Sequence, residues 1–249
     1  MDNPFAPLAA FLPSGFMRSY VVLMIIAVAV GTVFDLYHKG SAKFFVQQRK
    51  RSREAATRKL TGADMAAIAV KTLAHDVATF GEFCNQQRRL SHILTFYGFV
   101  LYLITTVILV FAYPGNTPAP AILPVLWNIG ILMALVGGYW FFFFLRVNVV
   151  HDGQPVWRLV PADLFIVSLL GSLSFALVYE IAALTQSLLA TKVFFGFYLF
   201  FTTLLFVSVP WSKFAHMFYK PVVAFQRRVE EEDGSTDLPT PADSRTGRL

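Results

Sequence analysis

The stretch HILTFYGFVLYLITTVILVFAY, His92 to Tyr113, decides the fold. It contains no Asp, Glu, Lys or Arg, and as an α-helix of about 33 Å it is long enough to cross a hydrocarbon layer of about 30 Å. A helix that is apolar on every side needs either a large protein core around it or lipid. With 56% hydrophobic and 14% charged residues in 249, the chain lacks the polar surface that would cover such a core. Lipid is the missing exterior.

Four further segments meet the same requirement, so five spans are expected: Tyr20 to Tyr37, His92 to Tyr113, Ile122 to Leu145, Ala162 to Leu184 and Val193 to Trp211. The first has no basic leader and no clear small-residue cleavage site, which marks it as a retained helix rather than a signal peptide. The fold class expected is an all-α membrane protein, a bundle of five transmembrane helices.

Lysine and arginine are held on the cytoplasmic side of a bilayer, so their distribution orients the bundle. The segment from His38 to Ser91 holds eleven, with Arg49, Lys50, Arg51 and Arg53 close together. The Pro- and Gly-rich turn from Tyr113 to Ala121 holds none. On this count 19 basic residues lie inside and two, Arg18 and Lys192, outside. The N-terminus is expected outside and the C-terminus in the cytoplasm, in an inner membrane. A net charge of +6 could suggest nucleic acid, but the cations sit between apolar spans and make no basic face, so no nucleic acid is expected. A single cysteine, Cys84, excludes an internal disulfide and cysteine-ligated iron–sulfur or zinc centres.

The organisation expected is an outer segment at 1–19, a membrane domain at 20–228 with a cytoplasmic loop at 38–91, and a disordered tail at 229–249. Within the loop, Thr61 and Asp64 have the spacing of a capping pair. Met65, Ile68, Thr72, Leu73 and Val77 then recur at helical intervals, which predicts one helix lying on the membrane or against a partner. The tail is acidic, then rich in Pro, Ser, Thr and Gly, with no apolar period.

Of the five histidines, His38, His75 and His151 fall in polar cytoplasmic segments where a solvated imidazole needs no special role. His92 opens the second span and His216 follows the fifth, which brings both to the cytoplasmic end of the bilayer. Position alone leaves two readings open. They anchor helix ends at the interface, or they are the two axial ligands of a six-coordinate haem. Haem b would fit, since no Cys-x-x-Cys-His word is present. Arg88, Arg89, Lys213 and Lys220 stand where haem propionates would need cations.

The words around these histidines, RRLSHILTFYGFVLYL (Arg88 to Leu103) and VPWSKFAHMFYKP (Val209 to Pro221), resemble the membrane cytochrome b family of the respiratory nitrate reductase gamma subunit. The likeness is closer to the branch with the membrane subunits of heterodisulfide reductase, the C subunit of the quinone-interacting oxidoreductase of sulfur metabolism, and tricarballylate utilisation protein B. Phe96-Tyr97-Gly98-Phe99 and the word Pro-x-Ser-Lys-Phe-x-His ending at His216 carry it. The resemblance implies a subunit passing electrons between quinone and a cytoplasmic flavin or iron–sulfur partner, such as adenylylsulfate reductase or a heterodisulfide-reductase-like protein. It also implies His92 and His216 as ligands of an inner haem.

The nitrate reductase branch holds a second, outer haem with histidines ten residues beyond the first word's histidine and eighteen before the second's. Tyr102 and Tyr198 occupy those positions here. Ten helical residues are about 15 Å, so the tyrosines should face each other one haem-layer further out. The expectation is therefore one haem b near the cytoplasmic face, no outer haem, and a quinone site in the inner half of the bilayer. Glu180, in the outer third of the fourth span, is a candidate for proton transfer or simply reaches water. The 26 phenylalanines, including those in the run Trp140 to Phe144, read as packing and lipid-facing surface. Two functions follow from the sequence: an electron-transfer subunit, or a haem-free anchor that docks a partner enzyme. A small transporter would need paired repeats or helices interrupted at midplane, and neither is evident.

Overall fold

The structure, a computed structural model, describes residues 3–13, 15–38, 40–81, 83, 85–146, 149, 153–212 and 216–236; the side chains of 41, 42 and 216 are excepted. Among these residues the regular structure is all helical, with no strand, and five helices are long and apolar enough to cross a membrane. It divides into two compact units, Met1–Asp35 with Phe83–Ala215, and Leu36–Glu82 with His216–Leu249.

The first unit is the membrane bundle. It holds all but the end of α1 (Phe16–His38), and α4 (Gln86–Ala112), α5 (Ile122–Trp140), α6 (Leu164–Leu184) and α7 (Leu188–Val207). Helices α4 and α5 pack as one pair and α6 and α7 as another, with α5 against α6 joining them. Small residues make the first pair possible. A Cβ on Gly98 would lie 2.5 Å from the Ala134 amide nitrogen, and one on Gly137 would lie 2.6 Å from the Ser91 carbonyl oxygen. In lipid, where apolar burial gives helices little reason to associate, such close backbone approach and interhelical hydrogen bonds supply the attraction. The Ser91 hydroxyl donates to the Gly137 carbonyl at 2.8 Å, and Ser172 and Thr202 share a hydrogen bond of 2.7 Å between α6 and α7.

The third span agrees with the sequence reading at both ends, the fourth starts one residue earlier, and the others shift. Helix α4 begins at Gln86 because the Asn85 side chain caps it, accepting from the Arg88 amide at 3.1 Å. His92 is thus in its second turn rather than at its start. Helix α1 begins at Phe16, and Arg18 is inside it, donating to the end carbonyls of α4 at Val110 (3.4 Å) and Phe111 (3.0 Å). The fifth span is corrected from Val193–Trp211 to Leu188–Val207. Lys192 is helical, its ammonium 5.5 Å from the centre of the Phe11 ring, while α7 ends at Val207 and a hydrogen-bonded turn containing Pro210 follows, the Trp211 and Ser212 amides both donating to the Ser208 carbonyl at 2.9 Å.

The outer segment at 1–19 is also revised. A short 3-10 helix, Ala6–Ala10, lies over one end of the bundle, with Phe5 and Leu8 buried. Asn3 donates to the Tyr113 carbonyl at 2.8 Å, and Tyr179 donates to the Pro4 carbonyl.

The second unit gathers the polar helices α2 (Ser41–Ala55), α3 (Gly62–Lys71) and α8 (His216–Asp233). The capping pair holds: Thr61 and Asp64 form a reciprocal capping box at the start of α3. The helix continues as a π-helical turn, Thr72–Ala78. Helices α2 and α8 were not expected. The tail expected to be disordered from 229 is helical through Asp233, because Glu230 accepts from Ser52 at 2.5 Å and from Gln226 at 3.0 Å, and the Asp233 carbonyl accepts from Thr57. Residues 237–249 of that tail lie outside the described residues.

Candidate functional site

His92 lies on α4, half-buried, its ring 5.2 Å from the ring of Phe83 and 6.4 Å from that of Phe96. Arg88 and Arg89 precede it by four and three residues, so all three share one helix face. His216 is the first residue of α8 and belongs to the second unit; its side chain and the whole of Lys213 lie outside the described residues. Among the described residues, the first unit therefore contributes one imidazole and two guanidinium groups to the expected site.

Two charged features near the same end of the bundle were not singled out from the sequence. Asp35, in the last turn of α1, is only 1% exposed. Counting from the contact of Arg18 with Val110 and Phe111, about 26 Å of helix leads to Asp35 and about 27 Å back along α4 leads to His92. The two residues stand at similar height within one unit. An acid near the end of an apolar span was the available signal. Arg146 closes the connection after α5: its guanidinium donates to the Asp163 carboxylate at 2.8 Å and to the Val156 carbonyl, and lies 4.6 Å from the centre of the Phe142 ring. This pair is buried on both sides, so removing either partner would strand a charge.

One haem-layer further along α4, Tyr102 and Tyr198 meet as the spacing predicts, with their hydroxyl oxygens 2.6 Å apart and both side chains buried. Aromatic rings surround the pair. Tyr179 stacks on Tyr198 with ring centres 6.2 Å apart, and Trp127 lies 5.8 Å from Tyr102 while its indole N–H donates to Thr106 at 2.9 Å. Phe5 of the N-terminal segment meets the Trp127 ring edge-on at 5.8 Å. A porphyrin in this layer would have to displace the tyrosine pair and the rings around it.

Glu180 is half-buried and accepts a hydrogen bond from Asn128 of α5 at 3.1 Å. Phe5, Leu8, Met17, Leu109, Val110 and Tyr113 are among the residues lining a partly open cavity of about 130 Å³ beside the N-terminal segment. Comparison with protein-family models, curated proteins and solved structures found no match.

Proposed function

We propose that this chain is the membrane subunit of a respiratory oxidoreductase, moving electrons between the quinone pool and a cytoplasmic flavin or iron–sulfur partner through one haem b held by His92 and His216. The reading places the bundle in the inner membrane with its N-terminus outside and C-terminus in the cytoplasm. It rests on the resemblance of the two histidine-centred words and on the distribution of basic residues.

The observation that carries it is the contrast along α4. Near one end a half-buried imidazole shares its face with two arginines. Ten residues on, Tyr102 is locked to Tyr198 inside closed aromatic packing. Haem b, when bound, supplies a one-electron carrier. The chain's own residues hold it: neutral imidazole provides the nitrogen lone pair that iron requires, and Arg88 and Arg89 offer donors for propionate carboxylates. The tyrosine layer ends the electron path, so quinone reacts in the same half of the bilayer as His92.

A reduced-minus-oxidised visible spectrum of the purified full-length protein tests the proposal. A b-type alpha band is expected, and it should vanish in both His92→Ala and His216→Ala while the protein still purifies as a folded membrane protein. If material made with ample haem shows no Soret absorption, the cytochrome reading falls and a haem-free anchor for the partner enzyme replaces it.

A further inference from the structure

Helix α2 follows the end of α1 after only two residues, so Ser41 lies within about 11 Å of His38 whatever the arrangement of the two units. Since α1 is apolar and long enough to span, that short connection holds the beginning of α2 at the bilayer surface. One row of α2 faces its own unit: Phe45 and Gln48 are half-buried, and Ser52 is buried, donating to Glu230 of α8. Lys43, Val46, Lys50 and Arg53 recur three or four residues apart on the opposite side, and all are exposed.

Arg49, Arg51 and Phe44 are also exposed. Five cations, Lys43, Arg49, Lys50, Arg51 and Arg53, stand against one carboxylate, Glu54, so fifteen residues carry a net charge of +4. Among the described residues none of these five cations makes an ion pair. Phe44 and Val46 lie toward the end nearest the span, and the arginines toward the far end.

We propose that α2 is a binding surface for anionic phospholipid headgroups of the leaflet at which α1 ends. A lipid surface fits this helix better than an acidic protein because the connection to α1 delivers it to the interface. Exposed phenylalanine and valine side chains also suit the boundary between headgroup and acyl chain. Guanidinium groups match phosphate oxygens with paired donors, and clustered cations just beyond a membrane span are attracted by the negative potential of anionic lipid. The inference does not depend on haem, and its test leaves the visible spectrum untouched.

Native mass spectrometry of the full-length protein in detergent, titrated with phosphatidylglycerol or with phosphatidylcholine of the same acyl chains, measures the preference directly. Phosphatidylglycerol adducts are expected at roughly tenfold lower lipid concentration than phosphatidylcholine adducts. The preference should disappear in Arg49→Gln, Lys50→Gln, Arg51→Gln, Arg53→Gln combined, and weaken without disappearing when the three arginines become lysine, which keeps the charge but loses the paired donors. Should the fourfold variant fail to fold, Lys50→Gln with Arg53→Gln should still halve the adduct population. Equal retention of the two lipids, or an unchanged preference in a folded glutamine variant, overturns the proposal. Displacement by millimolar inorganic phosphate would mark a phosphate site instead, and tighter capture of polyglutamate than of phosphatidylglycerol would mark an acidic-protein surface; either result also overturns it.

Discussion

The two units of this chain solve the same problem, holding helices together, with opposite chemistry. In the membrane unit, α4 and α5 come close enough for backbone atoms to meet at Gly98, Gly130 and Gly137, and charge plays little part between them. In the second unit, Arg228 of α8 grips Asp76 of the π-helical turn through two hydrogen bonds of 2.5 and 2.7 Å, and Ser52 reaches Glu230. Water explains the difference. Where water is present, apolar burial and charge-assisted hydrogen bonds both contribute; between lipid-soaked helices only packing and hydrogen bonding discriminate a neighbour from lipid.

The largest expected effect breaks the packing side of this contrast. Gly98→Ala places a methyl group 2.5 Å from the Ala134 amide nitrogen and 2.7 Å from the Gly130 carbonyl oxygen, both backbone atoms that cannot move alone. A loss of about 3 kcal/mol is expected, at the upper end for overpacking, and thermal unfolding in detergent would measure it. A loss below about 1 kcal/mol would mean that α4 and α5 separate easily and that close approach is not what joins them.

Asp76→Asn breaks the charged side. The Asp76 carboxylate is only 7% exposed and Arg228 18%, so about 1–2 kcal/mol is expected to be lost, seen as faster amide exchange in α8. The hydrogen bonds from Arg228 and then His75, opposed by burial, hold the Asp76 carboxyl below its ordinary value. Its contribution is therefore present at neutral pH and fades as pH falls below about 3.9 toward the lowered folded-state value. Acid should loosen α8 in the parent protein and not in Asp76→Asn.

A smaller effect sharpens the membrane side. The coupling between Tyr102→Phe and Tyr198→Phe in a double-mutant cycle should be about 0.6–1 kcal/mol, the range for hydrogen bonds between membrane helices. Zero coupling would show that ring packing alone holds the layer.

The membrane unit was the more legible in sequence because its signals are local. Length and hydropathy find the five spans, whereas Tyr102 and Tyr198 were picked out only through what the family resemblance implies. Thr61 and Asp64 announce α3 by the same kind of short-range rule. Helix α2 was not legible, since the side chain that anchors it, Ser52, binds Glu230 at a separation of 178 residues. The span ends failed where a long side chain misled: Lys192 reads as a loop residue, yet its ammonium reaches an aromatic face while its stem stays helical. Of the candidate site, His92 and the tyrosine pair were accessible from sequence. Trp127, Tyr179 and the N-terminal cover could not be recognised as one layer before their helices were placed, and Asp35, conspicuous as an acid in an apolar span, could not be set at the height of His92 until then.

The N-terminal cover also orders events in time. Asn3, Pro4 and Phe5 are translated before α1, but the groups that receive them, the Tyr113 carbonyl, the Tyr179 hydroxyl and the Trp127 ring, belong to α5, α6 and the end of α4. Those helices leave the ribosome more than a hundred residues later. This short segment must wait for helices made after it, and its docking registers that the fourth span of the bundle is in place.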